Sequence, residues 1–312
     1  MSLKRPFLSI CIPTYNRQEI LKKTLASIYA DLNGIEIEDF EVVISDNEPN
    51  GSSKKIAEMF GYKNLHYYKT TCEGFLNSLY VLKYGNGHLL KLHNNYTQLK
   101  QGSLKLIIED AKKYIDEKPL IFYTDGLKQS GRVERFNSFD NFMYNLSYFS
   151  SWSTGFSIWK EDLDKFADYI EINNYFPQTS LLLAQTKKST YIINDLSLFH
   201  NQNVPKKGGY NIFKVFAVDY IKLIEESFQK KAITKKSFEK IKKELLFNYL
   251  SVRYFKTVLM KMDNFEKNNI KKNLENYYSA SAYYFMIFFS LFSPLFFIIR
   301  RIRISLFNKT NN

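Results

Sequence analysis

Short apolar runs alternate with stretches of helical period along the first part of the chain. Residues 7–12, Phe-Leu-Ser-Ile-Cys-Ile, are apolar and rich in β-favouring side chains, which predicts a buried strand. Pro13 follows and, lacking an N–H for a ladder, is expected to end it. A polar loop, Thr14-Tyr15-Asn16-Arg17, leads into residues 18–30, where Ile20, Leu21, Leu25 and Ile28 recur at helical spacing. The alternation continues with strands predicted over 40–45, 65–69, 88–92 and 120–124. Helices are predicted over 52–60, 75–84 and 104–115. Strands separated by helices in this way imply βαβ units, hence an α/β fold with a mostly parallel sheet. Such sheets bind ligands at the carboxyl ends of their strands. A helix start beside Arg17 suits a phosphate or a nucleotide.

The pattern then changes. Residues 126–148 crowd aromatics without clear period and read as an irregular lid or wall. A strand is predicted over 152–159, helices from Lys160 and over 179–186, and a strand over 191–199. The loop 201–209 carries Lys206, Lys207, Gly208 and Gly209, and beyond Tyr210 the chain reads as helical and lysine-rich. Residues 276–299 hold no charged side chain. That is just long enough for a span, which needs roughly 20 apolar residues, although Pro294 and several serines weaken it. Lys271 and Lys272 precede the segment and Arg300, Arg301 and Arg303 follow it. The expectation is a segment embedded in the cytoplasmic leaflet of the plasma membrane, its basic flanks on anionic headgroups. A true span and a helix docked on the protein core are the alternatives. The division expected is therefore 1–210, a helical extension 211–275, and a membrane-associating segment 276–312.

Composition narrows the partners. Hydrophobic residues are 45% and aromatics 17% of the 312 residues, enough for a full core. The net charge of +13 calls for an anionic partner: nucleic acid, acidic lipid or a phosphorylated small molecule. The lysines of 206–243 are scattered, without the basic-aromatic array of an RNA-binding surface, so nucleic acid is not expected. Two cysteines, Cys11 and Cys72, give neither a disulfide framework nor a metal spacing, in keeping with a reducing cytosol. The apolar run after Lys4 and Arg5 is too short for a signal peptide.

The opening Ser9-Ile10-Cys11-Ile12-Pro13-Thr14-Tyr15-Asn16-Arg17, with Glu41-Val42-Val43-Ile44-Ser45-Asp46-Asn47 after the first helix, resembles the start of family 2 glycosyltransferases. The resemblance implies the GT-A fold. It also implies a nucleotide-sugar donor held by Pro13, Thr14, Tyr15, Arg17, Asp46 and Asn47, with Asn77 where the family often places an asparagine near the donor. The family's aspartate run after the fourth strand, which ligates a cation on the diphosphate, is here His93-Asn94-Asn95, and by that position these three are expected to contact the donor. Neutral amides and an imidazole suit a hard Mg²⁺ or Mn²⁺ poorly, so no protein-held metal is expected. Three outcomes stay open: a metal-independent enzyme, a metal held mainly by the donor's phosphates, or lost activity. Lys206 and Lys207, on their glycine hinge, are the cations expected to close over a diphosphate in the first case.

The family's base lies in an acidic pair starting a later helix. Here that start reads Tyr175-Phe176-Pro177-Gln178-Thr179, and Gln178 has no useful basicity. This segment and Ser153-Thr154-Gly155-Phe156 are similar to the abequosyltransferase-like branch. Asp125, after the fifth strand, and His200 are the alternative bases, whereas Glu161 and Asp162 fit an ordinary helix start. The implied activity is inverting transfer from a nucleotide sugar to a lipid-linked or surface glycan. The alternative is a non-catalytic protein that keeps the fold to recognise glycan, lipid or a partner transferase.

Overall fold

The structure is a computed structural model and describes residues 5–204 and 207–292. The chain divides into two compact units, Met1–Asn203 and Val204–Asn312.

In the first unit, β1 (Leu8–Thr14), β2 (Phe40–Asp46), β3 (Leu65–Lys69), β4 (Leu89–Leu92) and a later β8 (Ser157–Trp159) form one sheet in the order β3-β2-β1-β4-β8. All its pairings are parallel except β4 with β8. Buried on both faces, β1 and β2 read as continuous apolar runs, as central parallel strands do. The helix α1 (Gln18–Tyr29) buries Leu21, Leu25 and Ile28 with Leu8, Ile10 and Ile12 of β1, and α4 (Ser103–Lys113) adds Ile107 and Ala111 to that core. Between them in the chain come α2 (Lys54–Phe60) and α3 (Asn77–Tyr84), the latter packed on β1 and β2. The mixed α/β architecture is the one expected.

β1 does not stop before Pro13 but runs through it to Thr14. The carbonyl of Cys11 accepts from His93 while that of Thr14 accepts from Asn47, so alternate residues face β4 and β2. Pro13 therefore directs its missing N–H toward β4, which ends opposite Cys11. No ladder bond is lost.

The remaining strands are β5 (Thr97–Leu99), β6 (Leu120–Tyr123), β7 (Val133–Phe136), β9 (Tyr191–Asn194) and β10 (Phe199–Asn201). β6, β9 and β7 form a second sheet, and β5 pairs antiparallel with β10. The expected irregular lid is instead regular. β7 joins β9 edgewise, and α5 (Phe139–Leu146) is capped by Ser138, whose hydroxyl accepts from the Asn141 N–H at 3.2 Å. Phe139, Phe142, Met143 and Leu146 recur at one helical face and are buried, two of them against Tyr191. The strand predicted over 191–199 breaks at Asp195, whose buried carboxylate accepts from Thr124, Ser130 and the Lys128 N–H. The unit's last two helices are α6 (Lys160–Phe166) and α7 (Pro177–Leu183), the second opened by its proline.

The second unit is mainly helical: α8 (Ile212–Lys214), α9 (Ile221–Gln229), α10 (Lys235–Glu244), α11 (Ser251–Tyr254), α12 (Ile270–Leu274) and α13 (Ser281–Leu291). π-helical turns link α8 to α9 and α10 to α11. A short parallel pair, β11 (Gly208–Asn211) with β12 (Asn264–Glu266), interrupts the expected run of helices. Among the described residues no helix is long and apolar enough to cross a membrane. The hydrophobic segment expected over 276–299 lies beyond the described residues from 293 onward, as does Lys206 of the basic loop.

Candidate donor-binding site

The ends of β1, β2 and β4 bring most of the predicted residues together. Thr14 and Asp46 are register partners at the ends of β1 and β2. Asn16 adopts a left-handed φ of 48°, which turns the chain from β1 into α1 within two residues. No side chain caps α1, so its first N–H groups remain donors beside Arg17. Asn95 reaches across from the loop after β4 and donates to Thr14 Oγ1 at 2.9 Å. Its Oδ1 lies 3.4 Å from the Arg17 guanidinium, which also sits 5.9 Å from the centre of the Tyr96 ring. Tyr15 is exposed. Pro13 is half-buried just beneath the loop.

Asp46 does not face the crevice as expected. It is fully buried, and both oxygens are engaged: Oδ1 accepts from the Glu48 N–H at 3.0 Å, and Oδ2 from the Ser53 N–H at 3.1 Å and the Tyr67 hydroxyl at 3.3 Å. The carboxylate shapes the 46–53 turn from within. Burial, with Asp46 as the next cause, pushes the Tyr67 phenol up to about 12. Asn77 is likewise buried. Its amide donates to the Ser45 carbonyl at 2.9 Å and to Asn47 Oδ1 at 3.0 Å, and its oxygen accepts from Ser45 Oγ at 2.6 Å. It fastens the ends of β1 and β2 to α3. Asn47, half-buried, is thereby fixed on the rim, donating in turn to the Cys72 carbonyl at 3.1 Å.

The other wall is built on the loop after β4. Asn94 Oδ1 accepts from Ser153 at 2.8 Å, and its amide donates to the Tyr96 hydroxyl at 2.9 Å. His93 turns inward, contrary to a role in donor contact. It is 1% exposed, Nε2 lies 2.7 Å from the Thr97 carbonyl, and its ring meets Phe199 edge-on. A carbonyl can only accept, so Nε2 carries the proton. Burial, followed by nearby Lys91, holds the imidazole down to about 3, so it is neutral. Among the described residues no three His, Cys, Asp or Glu side chains form a cluster able to hold a metal. A buried imidazole and two amides already engaged with Thr14, Arg17, Ser153 and Tyr96 do not fit a cation held at this position by the protein.

Sequence reasoning passed over Lys91. It is 1% exposed, and its ammonium donates to the Thr154 carbonyl at 2.7 Å and the Leu92 carbonyl at 3.2 Å. The rings of Phe199 and Tyr123 lie 4.5 and 5.2 Å from it. Burial brings its pKa down to about 7, with Asp125 the main opposing influence. The signal was present: a lysine inside Leu89-Leu90-Lys91-Leu92 interrupts an otherwise buried strand. Gly155 lets this wall close, because a Cβ there would stand 2.2 Å from Phe122 Cε1 and 2.6 Å from the Tyr123 carbonyl oxygen.

The two expected bases, Asp125 and His200, and Gln178 at the family's base position have different surroundings. Asp125 accepts from the Leu198 and Phe199 N–H groups at 2.8 and 2.7 Å through Oδ1, and burial raises its carboxyl above the usual range. Gln178 is buried and donates to the Ser151 carbonyl at 2.8 Å, a brace between α7 and the 147–151 turn and no base. His200 is exposed on the β5–β10 ribbon, opposite Gln98. Lys207 belongs to the second unit.

Taken together, a parallel-rich sheet flanked by helices, with polar loops at the ends of β1, β2 and β4, is an arrangement similar to the GT-A fold. Residues 9–80, less than a quarter of the chain, match the model of the family "Glycosyl transferase family 2". The fold is similar to that of S. aureus TarS 1-349, at 15% identity and a TM-score of 0.56 over 86% of this chain and 78% of that one. The same TarS piece in complex with UDP-GlcNAc gives 15% identity and a TM-score of 0.54 over the same shares. Against the longer S. aureus TarS chain the match spans 43% of that chain and 79% of this one, at 16% identity and a TM-score of 0.49. At such identities the likeness establishes the fold. No curated protein matches by sequence.

Proposed function

We propose that this protein is an inverting glycosyltransferase that moves a sugar from a nucleotide-activated donor to a lipid-linked or surface glycan at the cytoplasmic face of the membrane. One observation carries the reading. Thr14, Arg17, Asn47 and Asn95 meet at the ends of β1, β2 and β4, three of them within the stretch that matches the family model. The uncapped start of α1 and the Arg17 guanidinium offer donors and positive charge for a diphosphate. Leaving-group charge is then met by these groups rather than by a protein-held cation. Asp125 is the favoured base: its carboxyl is half-buried, and burial raises its pKa, which makes it a stronger proton acceptor. Ser153 to Phe156 and Tyr175 to Thr179 favour the abequosyltransferase-like branch.

Because the TarS piece was solved with UDP-GlcNAc, that donor is tried first, then other UDP-, GDP- and CDP-sugars. The test is release of nucleoside diphosphate from this panel with a membrane glycolipid extract as acceptor. The reading expects turnover that Asp125→Asn reduces by about a hundredfold or more. Nucleotide binding with background turnover for every donor supports instead the recognition protein, which the absence of carboxylates at positions 93–95 favours.

A further inference from the structure

The second unit presents an apolar surface of a particular kind. α13 carries no charged residue, and its sequence Ser-Ala-Tyr-Tyr-Phe-Met-Ile-Phe-Phe-Ser-Leu is apolar all round. Its own unit covers only one side. Ala282, Met286 and Ser290 are buried, while Tyr283 packs edge-on to Tyr254 and Phe289 to Phe247. Tyr284, Phe285, Phe288, Leu291 and Phe292, at spacings of i, i+1, i+4, i+7 and i+8, stand 41–61% exposed. Five large side chains on one ridge form a contiguous exposed apolar patch, which marks an interaction surface.

A basic hollow opens at the amino end of this ridge. It has a volume of about 480 Å³ and is lined by Lys267, Ile270, Lys271, Lys272, Glu275 and Tyr283 among others. Lys271 joins the two features, its ammonium 5.6 Å from the centre of the Tyr284 ring. One acidic group answers the three lysines there: Glu275, 3.9 Å from Lys271. Cationic side chains at one end of an aromatic ridge match a bilayer surface, with phosphate at headgroup depth and hydrocarbon below it. The lysines gathered beside the ridge are what favours an anionic lipid surface over a protein partner.

We infer that α13 docks on an anionic phospholipid bilayer, its exposed aromatic ridge entering the acyl boundary while Lys267, Lys271 and Lys272 hold lipid phosphates. This deepens the membrane placement proposed above, and it is read without any glycosyl transfer. The full chain is sedimented with vesicles of phosphatidylcholine alone and with a third phosphatidylglycerol, at low and high salt. Binding is expected to the anionic vesicles and to weaken with salt. The triple change Lys267→Glu, Lys271→Glu and Lys272→Glu is expected to weaken it by about tenfold or more, and Phe285→Ser with Phe288→Ser to reduce it comparably at unchanged salt dependence. Circular dichroism confirms that each variant folds, since all five positions are exposed. No binding, binding indifferent to both variants, or a dimer that the Phe variants dissociate while vesicle binding persists would each overturn the inference. Loss of vesicle binding with nucleotide binding intact separates this surface from the donor site.

Discussion

The two walls of the candidate site solve the same problem with opposite charges. On the β1–β2 side a buried carboxylate, Asp46, organises the turn by accepting from Glu48, Ser53 and Tyr67. On the β4 side the buried charged group is a cation, Lys91, donating to the Thr154 and Leu92 carbonyls beneath a loop of uncharged side chains. Charges in a low-dielectric interior survive only when hydrogen-bonded, and both are. The difference bears on chemistry. When it carries its proton, as it does below about pH 7, Lys91 repels a cation at the Asn94–Asn95 loop and attracts an anion. This wall is therefore suited to a donor diphosphate itself more than to a metal riding on it.

The largest effect is expected from Asp46→Ala, which leaves buried donors of the turn unmatched. Chemical denaturation should show about 3 kcal/mol of lost stability, with nucleotide binding lost as the turn that carries Asn47 loosens. Full stability in this variant would break the contrast on the acidic side. On the other wall, Gly155→Ala should cost about 2 kcal/mol, since its Cβ would overlap Phe122 and the Tyr123 carbonyl. Circular dichroism melting reads that change.

Lys91 sharpens the comparison through pH. Its folded pKa, about 7, lies below the ordinary 10.5. Between those values the unfolded chain binds a proton that the folded one does not, so folded stability rises with pH. Relative to Lys91→Met, the natural protein should gain on the order of 1 kcal/mol per pH unit across that window, read by urea unfolding at several pH values. Parallel slopes for the two proteins would mean that the lysine stays charged in the fold. His93 adds to the same trend at lower pH. Its imidazole stays neutral down to about 3, so stability should fall as pH drops through 6.5 toward that value.

Much of this was legible in the sequence. The strands predicted over 40–45 and 65–69 sit in the sheet, and the amphipathic spacing of α1 and α4 faces the core. A ligand crevice at the strand ends followed from strand-loop-helix order, and the grouping of Thr14, Arg17 and Asn47 there from the family resemblance. What escaped was side-chain direction. A hydrophilic residue near the strand ends reads as a ligand contact, yet Asp46 turns inward because the N–H groups of its turn need an acceptor, and Asn77, at the start of α3, because its amide donates to the Ser45 and Thr14 carbonyls. Neither could period reveal that Ser138 caps a helix in an aromatic-rich stretch taken for a lid, because the cap is one residue and the aromatics mask the stripe.

The smallest change is Asn95→Asp. A carboxylate there can only accept, so the Thr14 hydroxyl must turn to donate to it, while the 3.4 Å contact with Arg17 becomes an ion pair. Thermal melting should show a gain of about 0.5 kcal/mol, while affinity for a nucleoside diphosphate falls because the added charge opposes the phosphates.

The most direct test is calorimetric titration of the full chain with UDP, GDP and their sugars, with and without Mn²⁺. Binding of at least one nucleotide in the absence of metal, changed less than about threefold by adding it and abolished by Arg17→Ala, is the result predicted from a site whose charge is supplied by the protein. Binding that occurs only when Mn²⁺ is present, or no binding of any nucleotide, would contradict it.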